Sequence, residues 1–299
     1  MAGPTGAGAQ DTPAAAESVM LLGVGDTHGE FAPLFEAARR EPAARAILQV
    51  GDLTAGKAGR EQRPDDDPAT LRHLPLPLVW VHGNHEHWEW LGVAESGPKP
   101  VLDPERSEGE GSESRSLPSS AARAPKSPAS PDAGGRMANP TSTSDLGPRT
   151  GIGYHLWPGD EYVVPGTQIR VVGLPGNYAP TWYHQPKPFP GDRVRHFNAA
   201  DVAALERFRR PSVLLLHESF RGQAPGRVGY MGIPVLTQLV RRLRPRVCLT
   251  GHHHTFAATE RGGTLAIALP RAGAGYVHLR FAPSGALLAW DFVPLGEGG

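Results

Sequence analysis

The sequence lacks the features that direct a chain to an oxidising compartment or to a membrane. Its single cysteine, Cys248, excludes an internal disulfide and lies in an apolar run, as a small buried side chain would. No apolar run approaches the ~18 residues that span a bilayer. The first basic residue is Arg39, so the amino terminus lacks the positive segment of a secretory signal. We expect a soluble, cytoplasmic protein without a membrane partner.

Net charge is also absent. Lysine and arginine together number 30, as do aspartate and glutamate, so no global field attracts the chain to nucleic acid or anionic lipid. A local basic patch is left as the route to such partners, and nothing in the composition identifies a protein partner. With 299 residues the chain is long enough to bury a sizeable core.

Two segments have little to bury. Residues 1–17 are mostly Ala, Gly, Pro and Thr, and we expect a disordered arm there. Between about residues 95 and 150 the chain has nine prolines and no aromatic residue, so it cannot offset the entropy of ordering. The prediction is one domain over residues 18–299, interrupted by a disordered insertion at about 95–150.

Five short, largely apolar runs have the length and composition of strands that are covered on both faces. They are Val19 to Val24, Ala46 to Val50, Leu78 to Val81, Val213 to Leu216 and Val247 to Leu249. Alternating patterns predict further strands at Gln168 to Leu174, Thr264 to Leu269, Tyr276 to Phe281 and Leu287 to Phe292.

Helical spacing predicts three helices between these strands. The first includes Phe31 and ends at Arg40, the second runs from an Asn198 N-cap through Arg210, and the third runs from Pro234 to Leu243. Strands and helices alternate early, whereas strands dominate late. A layered α/β sandwich with two sheets packed face to face accounts for both.

Polar residues of metal-ligand type follow each of the five apolar runs. They are Asp26 with His28, Asp52, Asn84 with His85, His217, and His252 with His254. The carboxyl ends of strands in open α/β sheets form the functional crevice, so these side chains should converge there. The Asp52 carboxylate has two oxygens and can bridge a pair of cations, while His252 and His254 can serve one metal each.

These blocks, Asp-x-His, Gly-Asp, Gly-Asn-His-Glu, His and Gly-His-x-His, resemble the calcineurin-like metallophosphoesterase superfamily over about residues 18–292. The resemblance implies a four-layer α/β/β/α sandwich of two mixed sheets flanked by helices. It implies that one metal is held by Asp26, His28, Asp52 and His254, and the other by Asp52, Asn84, His217 and His252. It also makes His85 a catalytic residue near the leaving group. Glu86 and Glu218 follow site residues and are candidates to orient imidazoles, unless they are exposed.

The chemistry expected at such a centre follows from charge. A water that bridges two divalent cations loses its proton near neutral pH, because the cations stabilise hydroxide. That hydroxide would attack phosphorus in line, and His85 would protonate the departing alkoxide. Mixed nitrogen and oxygen ligands accommodate several metals, of which we expect manganese first, with iron, zinc or nickel as alternatives.

A loop from Asn177 to Phe197 interleaves aromatic and basic residues, which suits nucleobases and phosphates. Tyr178, Arg195 and His196 are the candidate substrate-binding residues. A lid that packs on the core through its aromatic rings would have the same composition.

Three functions stay open. The loop and the Gly-Asp-Thr-His-Gly-Glu and Gly-Asn-His-Glu blocks are similar in layout to RNA lariat debranching enzymes, although those carry Cys where Asp26 stands. This favours hydrolysis of a phosphodiester, in a nucleotide, RNA or DNA. A phosphomonoesterase resembling serine/threonine protein phosphatases is the alternative, but those continue with Val-Asp-Arg-Gly where this chain has Leu53-Thr54-Ala55-Gly56. A non-catalytic metal-binding scaffold is the third.

Overall fold

A computed structural model of the chain describes residues 18–54, 67–86, 153–189, 191–223 and 232–296. All of them belong to one structural unit. The predicted arm at 1–17 and the predicted insertion at 95–150 lie outside the described residues, so both stay predictions. Among the described helices, none has the length and apolar character needed to cross a membrane.

Two six-stranded sheets and one two-stranded sheet contain the strands. In chain order these are β1 (Val19–Val24), β2 (Ala46–Gln49), β3 (Leu78–Trp80), β4 (Tyr154–His155), β5 (Glu161–Val163), β6 (Arg170–Leu174), β7 (Asn177–Tyr178), β8 (His196–Phe197), β9 (Val213–Leu216), β10 (Val247–Thr250), β11 (Ala257–Arg261), β12 (Thr264–Ala268), β13 (Gly275–Phe281) and β14 (Leu287–Pro294). The first sheet has the order β14-β13-β1-β2-β3-β4, and the second has the order β11-β12-β10-β9-β6-β5.

Both large sheets are mixed. In the first, β1 to β4 are parallel, and β13 pairs antiparallel with β1 and with β14. In the second, β6, β9, β10 and β12 are parallel, with β5 and β11 antiparallel at the edges. β7 and β8 form the small parallel sheet.

The helices are α1 (Ala32–Arg40), α2 (Pro180–Tyr183), α3 (Ala199–Leu205) and α4 (Pro234–Leu243). Short 3-10 helices occur at Pro68–His73, Gly191–Arg195 and Ala272–Ala274. α1 follows β1 and leads to the parallel β2, so these three elements form a βαβ unit.

Three layers of buried side chains make the sandwich. One lies between the sheets, where Leu48 and Val79 of the first sheet share a core with Leu215 and Leu249 of the second. The second covers the outer face of the first sheet with α1 through Leu34. The third covers the outer face of the second sheet with α3 and α4. The predicted four-layer fold of two mixed sheets flanked by helices is confirmed.

The second predicted helix is shorter than its sequence pattern indicated. α3 begins after the Asn198 cap as expected, but it ends at Leu205 and not at Arg210. Past its end, the Phe208 N–H donates to the Leu205 carbonyl, a tighter turn than an α-helix makes. Arg210 has a φ of 47°, and its N–H donates to Leu243 at the end of α4. A tertiary hydrogen bond therefore replaces the last helical turns.

Candidate metal centre

All seven predicted ligands and His85 lie at the carboxyl edges of the two sheets. β1, β2 and β3 are parallel neighbours in the first sheet, and β9 and β10 are parallel neighbours in the second. Because parallel strands end at the same edge, the residues that follow them are brought together. The first sheet supplies Asp26, His28, Asp52, Asn84 and His85, and the second supplies His217, His252 and His254.

The ligand atoms form two groups, in each of which the atoms lie within 4.8 Å of one another. The first group is Asp26, His28 and His254. His254 Nε2 lies 3.0 Å from Asp26 Oδ2 and 3.0 Å from His28 Nε2. The second group is Asp52, His217 and His252. Each group takes side chains from both sheets.

Asp52 stands between the two groups. Its Oδ2 is 3.8 Å from His28 Nε2, and its Oδ1 is 3.5 Å from His217 Nε2. Asn84 joins the second group, since its Oδ1 lies 3.0 Å from His217 Nε2. The arrangement agrees with the two ligand sets that the resemblance implies, with Asp52 common to both.

His85 lies at the rim of the same cluster. Its backbone N–H donates to Asp52 Oδ1 over 2.8 Å, and its ring centroid is 5.7 Å from that of His28. The side chain is exposed, whereas Asp52 is buried. A group in this position reaches solvent on one side and the ligand cluster on the other.

Four of the seven candidate ligands have a left-handed backbone, which residues other than glycine rarely adopt. The φ angles are 48° at His28, 49° at Asp52, 68° at His252 and 54° at His254. Such conformations cost of order 1 kcal/mol each and persist where the surroundings impose them, most often at functional sites. The strain is concentrated on the residues that aim donors at the cluster.

Gly83 permits the close approach of the β2 and β3 ends. A Cβ at this position would overlap Asp52 Oδ1 and would lie 2.5 Å from the Asp52 nitrogen. Because one of these atoms belongs to the backbone and the other to the buried Asp52 carboxylate, the overlap could be removed only by displacing Asp52. The glycine therefore lets Asp52 occupy its position between the two groups.

The charges of the cluster suit metal binding. Burial lowers the pKa of His28, and burial together with His217 lowers the pKa of His252 to about 3, so both rings are neutral near pH 7. Burial opposes ionisation of Asp52, but His217 and other neighbours bring its pKa below the usual value. Carboxylates, an amide oxygen and imidazoles are donors that bind divalent transition metals, so these residues fit a pair of them.

A sequence profile of the calcineurin-like phosphoesterase family matches residues 20–256. The chain belongs to this family. It is therefore a metal-dependent phosphoester hydrolase by family. A comparison with curated protein sequences finds no match.

Solved structures share the fold of this phosphoesterase. The protein TT1561 of Thermus thermophilus aligns with a TM-score of 0.53 at 13% identity, covering 93% of this chain and 99% of that one. A protein from Staphylococcus aureus assigned as a 5'-nucleotidase aligns with a TM-score of 0.54 at 12% identity, covering 95% of this chain and 55% of that one. This phosphoesterase spans about half the length of the Staphylococcus protein. At such identities the likeness shows the fold alone.

The two carboxylates expected to orient imidazoles have different surroundings in the phosphoesterase. Glu86 is buried, and its carboxylate accepts the backbone N–H groups of Leu53, Thr54 and Gly83 and the Thr54 hydroxyl. Burial raises the pKa of Glu86 to about 7 against these hydrogen bonds. Glu86 thus ties the segment after β2 to the segment after β3. Glu218 is also buried, with Oε1 3.9 Å from His252 Nε2.

The predicted substrate loop reaches the same edge of the phosphoesterase. Tyr178, in β7, donates its backbone N–H to Glu218 Oε2 over 3.3 Å, and its ring lies 5.3 Å from that of Tyr183. His196 is buried at the start of β8, and Arg195 precedes it at the end of a 3-10 helix. The long loop was predicted without regular elements but contains β7, α2 and β8.

Arg271 is a residue at this edge that the sequence patterns did not single out. Its Nε lies 3.3 Å from His254 Nδ1. It follows the run from Thr264 to Leu269, so the rule that found the ligands, a polar residue just past an apolar strand, would also have found it.

Proposed function

We propose that this chain hydrolyses a phosphodiester with two divalent cations, and that manganese is the metal it uses. The observation that supports this most is the division of the Asp52 carboxylate, one oxygen toward each group of ligand atoms. A shared carboxylate holds two cations at the ~3.5 to 4 Å separation that two-metal catalysis uses. The ligand residues of the proposal are the seven named above, and the compartment is the cytoplasm.

The residues of the chain have separate parts in this proposal. When bound, the cations supply Lewis acidity that activates water and neutralises charge on the phosphoryl oxygens. His85 donates a proton to the departing oxygen, since it is exposed at the rim and held by its backbone N–H to Asp52. Glu86 holds the segments that carry Asp52 and Asn84 together.

The diester preference is supported by the loop that contains β7, α2 and β8. A diester has two organic substituents, and a surface beside the ligands is needed to hold the second one. The Tyr178 backbone N–H donates to Glu218, which lies next to His252, so this loop begins beside the candidate ligands. The rings of Tyr178 and Trp182 in the loop are half-buried. Arg195 and His196 complete the proposed substrate-binding set, with RNA, DNA or a nucleotide as substrate classes.

The substrate class is tested by assaying purified protein with manganese on bis-p-nitrophenyl phosphate and on p-nitrophenyl phosphate. We expect turnover of the diester above that of the monoester, with close to two metal ions per chain by elemental analysis. Turnover of the monoester alone would assign a phosphomonoesterase. Metal binding without turnover of either would assign a scaffold.

The role of His85 is tested separately with His85→Ala. We expect kcat to fall by roughly 10² to 10⁴ on an alkyl phosphodiester, whose leaving group needs a proton, and much less on the p-nitrophenyl diester, whose leaving group departs as an anion. His73→Ala is the matched control, because His73 is an exposed histidine at the end of the 3-10 helix Pro68–His73, outside the proposed substrate loop. Equal loss on both substrates would show that His85 is not the proton donor.

A further inference from the structure

Arg271 lies at the same sheet edge as the ligands, although it belongs to a different strand connection. β12 is parallel to β10, with Thr250 opposite Ala268 in register. The chain after β12 therefore leaves the second sheet beside the chain after β10, which carries His252 and His254. Arg271 comes three residues after the end of β12.

The backbone around Arg271 is held tightly against the first ligand group. The Leu269 N–H donates to Thr250 over 2.8 Å, and the Ala272 N–H donates to the Asp26 carbonyl over 3.0 Å. Gly25 makes this approach feasible, because a Cβ there would overlap the carbonyl oxygen of Pro270. The base of the Arg271 side chain is thus fixed relative to Asp26.

The tip of Arg271 is exposed and close to the ligands. Its Nε–H donates to His254 Nδ1 over 3.3 Å, and the ring of His254 directs its other nitrogen to Asp26. Residue 271 is exposed to solvent. A guanidinium has five donors, and this hydrogen bond uses one of them.

The contact with His254 is compatible with only one tautomer of the neutral ring. If Nδ1 accepts from Arg271, the ring proton is on Nε2, where it faces Asp26 Oδ2 at 3.0 Å. Nε2 is the nitrogen that faces the ligand group, and a metal ligand must offer a lone pair. If Nε2 held a metal, the ring proton would be on Nδ1 and would oppose the Arg271 N–H. The guanidinium would then have its donors available to an anion.

We propose that Arg271 binds a non-bridging phosphoryl oxygen of the substrate in the metal-loaded protein. This rests on the proposed phosphoester substrate. The guanidinium is the side chain best suited to bind phosphate, through charge-assisted and often bidentate hydrogen bonds. The described residues that directly follow Asp52, Leu53 and Thr54, are buried and bound to Glu86. Arg271 is exposed and follows a different strand.

The test is the affinity of the manganese-loaded protein for inorganic phosphate, measured by isothermal titration calorimetry. We expect Arg271→Gln to weaken binding at least ~10-fold, because a hydrogen bond to a charged group is lost. Arg271→Lys should retain the charge but not the fork, and should lie between Arg271→Gln and the wild type. Arg280→Gln is the matched control, since Arg280 is an exposed arginine opposite Met20, at the other end of β1 from Asp26.

Manganese content and thermal unfolding are measured on the same samples. Two outcomes would overturn the proposal: phosphate affinity of Arg271→Gln equal to that of Arg280→Gln, or loss of manganese from Arg271→Gln, which would assign Arg271 to positioning His254. Failure of the proposed function is a different result. If the wild type turns over neither ester but binds phosphate in an Arg271-dependent way, the anion site stands and the hydrolase proposal falls.

Discussion

The residues at the candidate centre are distinguished by their backbone conformation as well as by their donor atoms. His28, Asp52, His252 and His254 adopt φ angles of 48° to 68°, which their side chains disfavour. Asp52 also requires a glycine as its neighbour across the β2 and β3 ends. If these residues bind metal, their side chains are already oriented toward it, so less reorganisation is needed on binding.

Gly83→Ala tests this dependence on shape. The added methyl group would overlap Asp52 Oδ1, so we expect the metal content to fall below two per chain and kcat/KM to fall by about 10² or more. Elemental analysis and the diester assay give the two readouts.

Gly273→Ala is the control for that substitution, because a Cβ at Gly273 meets no atom within 4 Å. It should stay within about twofold of the wild type, since surface changes away from special features have small effects. A Gly83→Ala protein with two metals and full turnover would contradict the prediction.

Among the elements, the buried central strands were predictable and the exposed short ones were not. β1, β9 and β10 are largely apolar and almost entirely buried, and a pattern of that kind is recognised directly in the sequence. β7 and β8 have two residues each, too few for any periodicity. Their pairing comes from the register of Asn177 with His196, a contact between distant parts of the chain.

Two further differences have separate causes. β11 alternates weakly and is mostly exposed, so its own residues do not predict a strand, although the Gly262-Gly263 pair between Arg261 and Thr264 is a hairpin signal. α3 ended early because Arg210 bonds to Leu243 of α4. The glycine pair of the turn can be recognised in the sequence, whereas the hydrogen bond between Arg210 and Leu243 cannot be predicted from it.

The cap of α3 yields a prediction at this scale. The Asn198 side chain accepts the Asp201 N–H over 3.0 Å and donates to the Gln185 carbonyl over 2.9 Å. We expect Asn198→Ala to lower the free energy of unfolding by about 1 to 2 kcal/mol, measured by urea denaturation.

Asn198→Ser separates the two bonds, because a serine hydroxyl caps the helix but does not reach Gln185. Its loss should be smaller than that of Asn198→Ala. If the two variants were equally unstable, the bond to Gln185 and not the cap would be the main contribution.

For the whole molecule, the sandwich buries histidines that are not ligands, and this links its stability to pH. His155 in β4 is buried, and burial lowers its pKa to about 3. In the unfolded chain the ring titrates near 6.5. Above that pH the ring is neutral in both states. As pH falls from about 6.5 toward 3, only the unfolded chain takes up the proton, so stability is lost.

His155→Gln removes this titration. We expect the free energy of unfolding of the wild type, relative to the variant, to fall by up to about 1.4 kcal/mol per pH unit between pH 6 and 4. Urea denaturation across this range gives the slopes, with His184→Gln as an exposed control. Parallel slopes for His155→Gln and the wild type would show that His155 does not contribute.

The sequence could predict which residues lie close together at the site, but not all of the hydrogen bonds that they make there. Parallel strands ending on polar residues predicted one common edge, and all seven candidate ligands lie there. That Glu86 binds backbone N–H groups instead of an imidazole depends on the separation of two loops in space. No spacing in the chain encodes that distance.

Each of the two candidate ligand groups contains side chains from both sheets. A cation bound by either group would therefore link the two sheets. Slipping one sheet past the other by a single residue, ~3.3 Å along a strand, would carry His254 away from Asp26 and His217 away from Asp52 together. If the two groups bind metal, metal content would therefore report the alignment of the two sheets, and a core substitution that shifts them would be detected as a loss of metal.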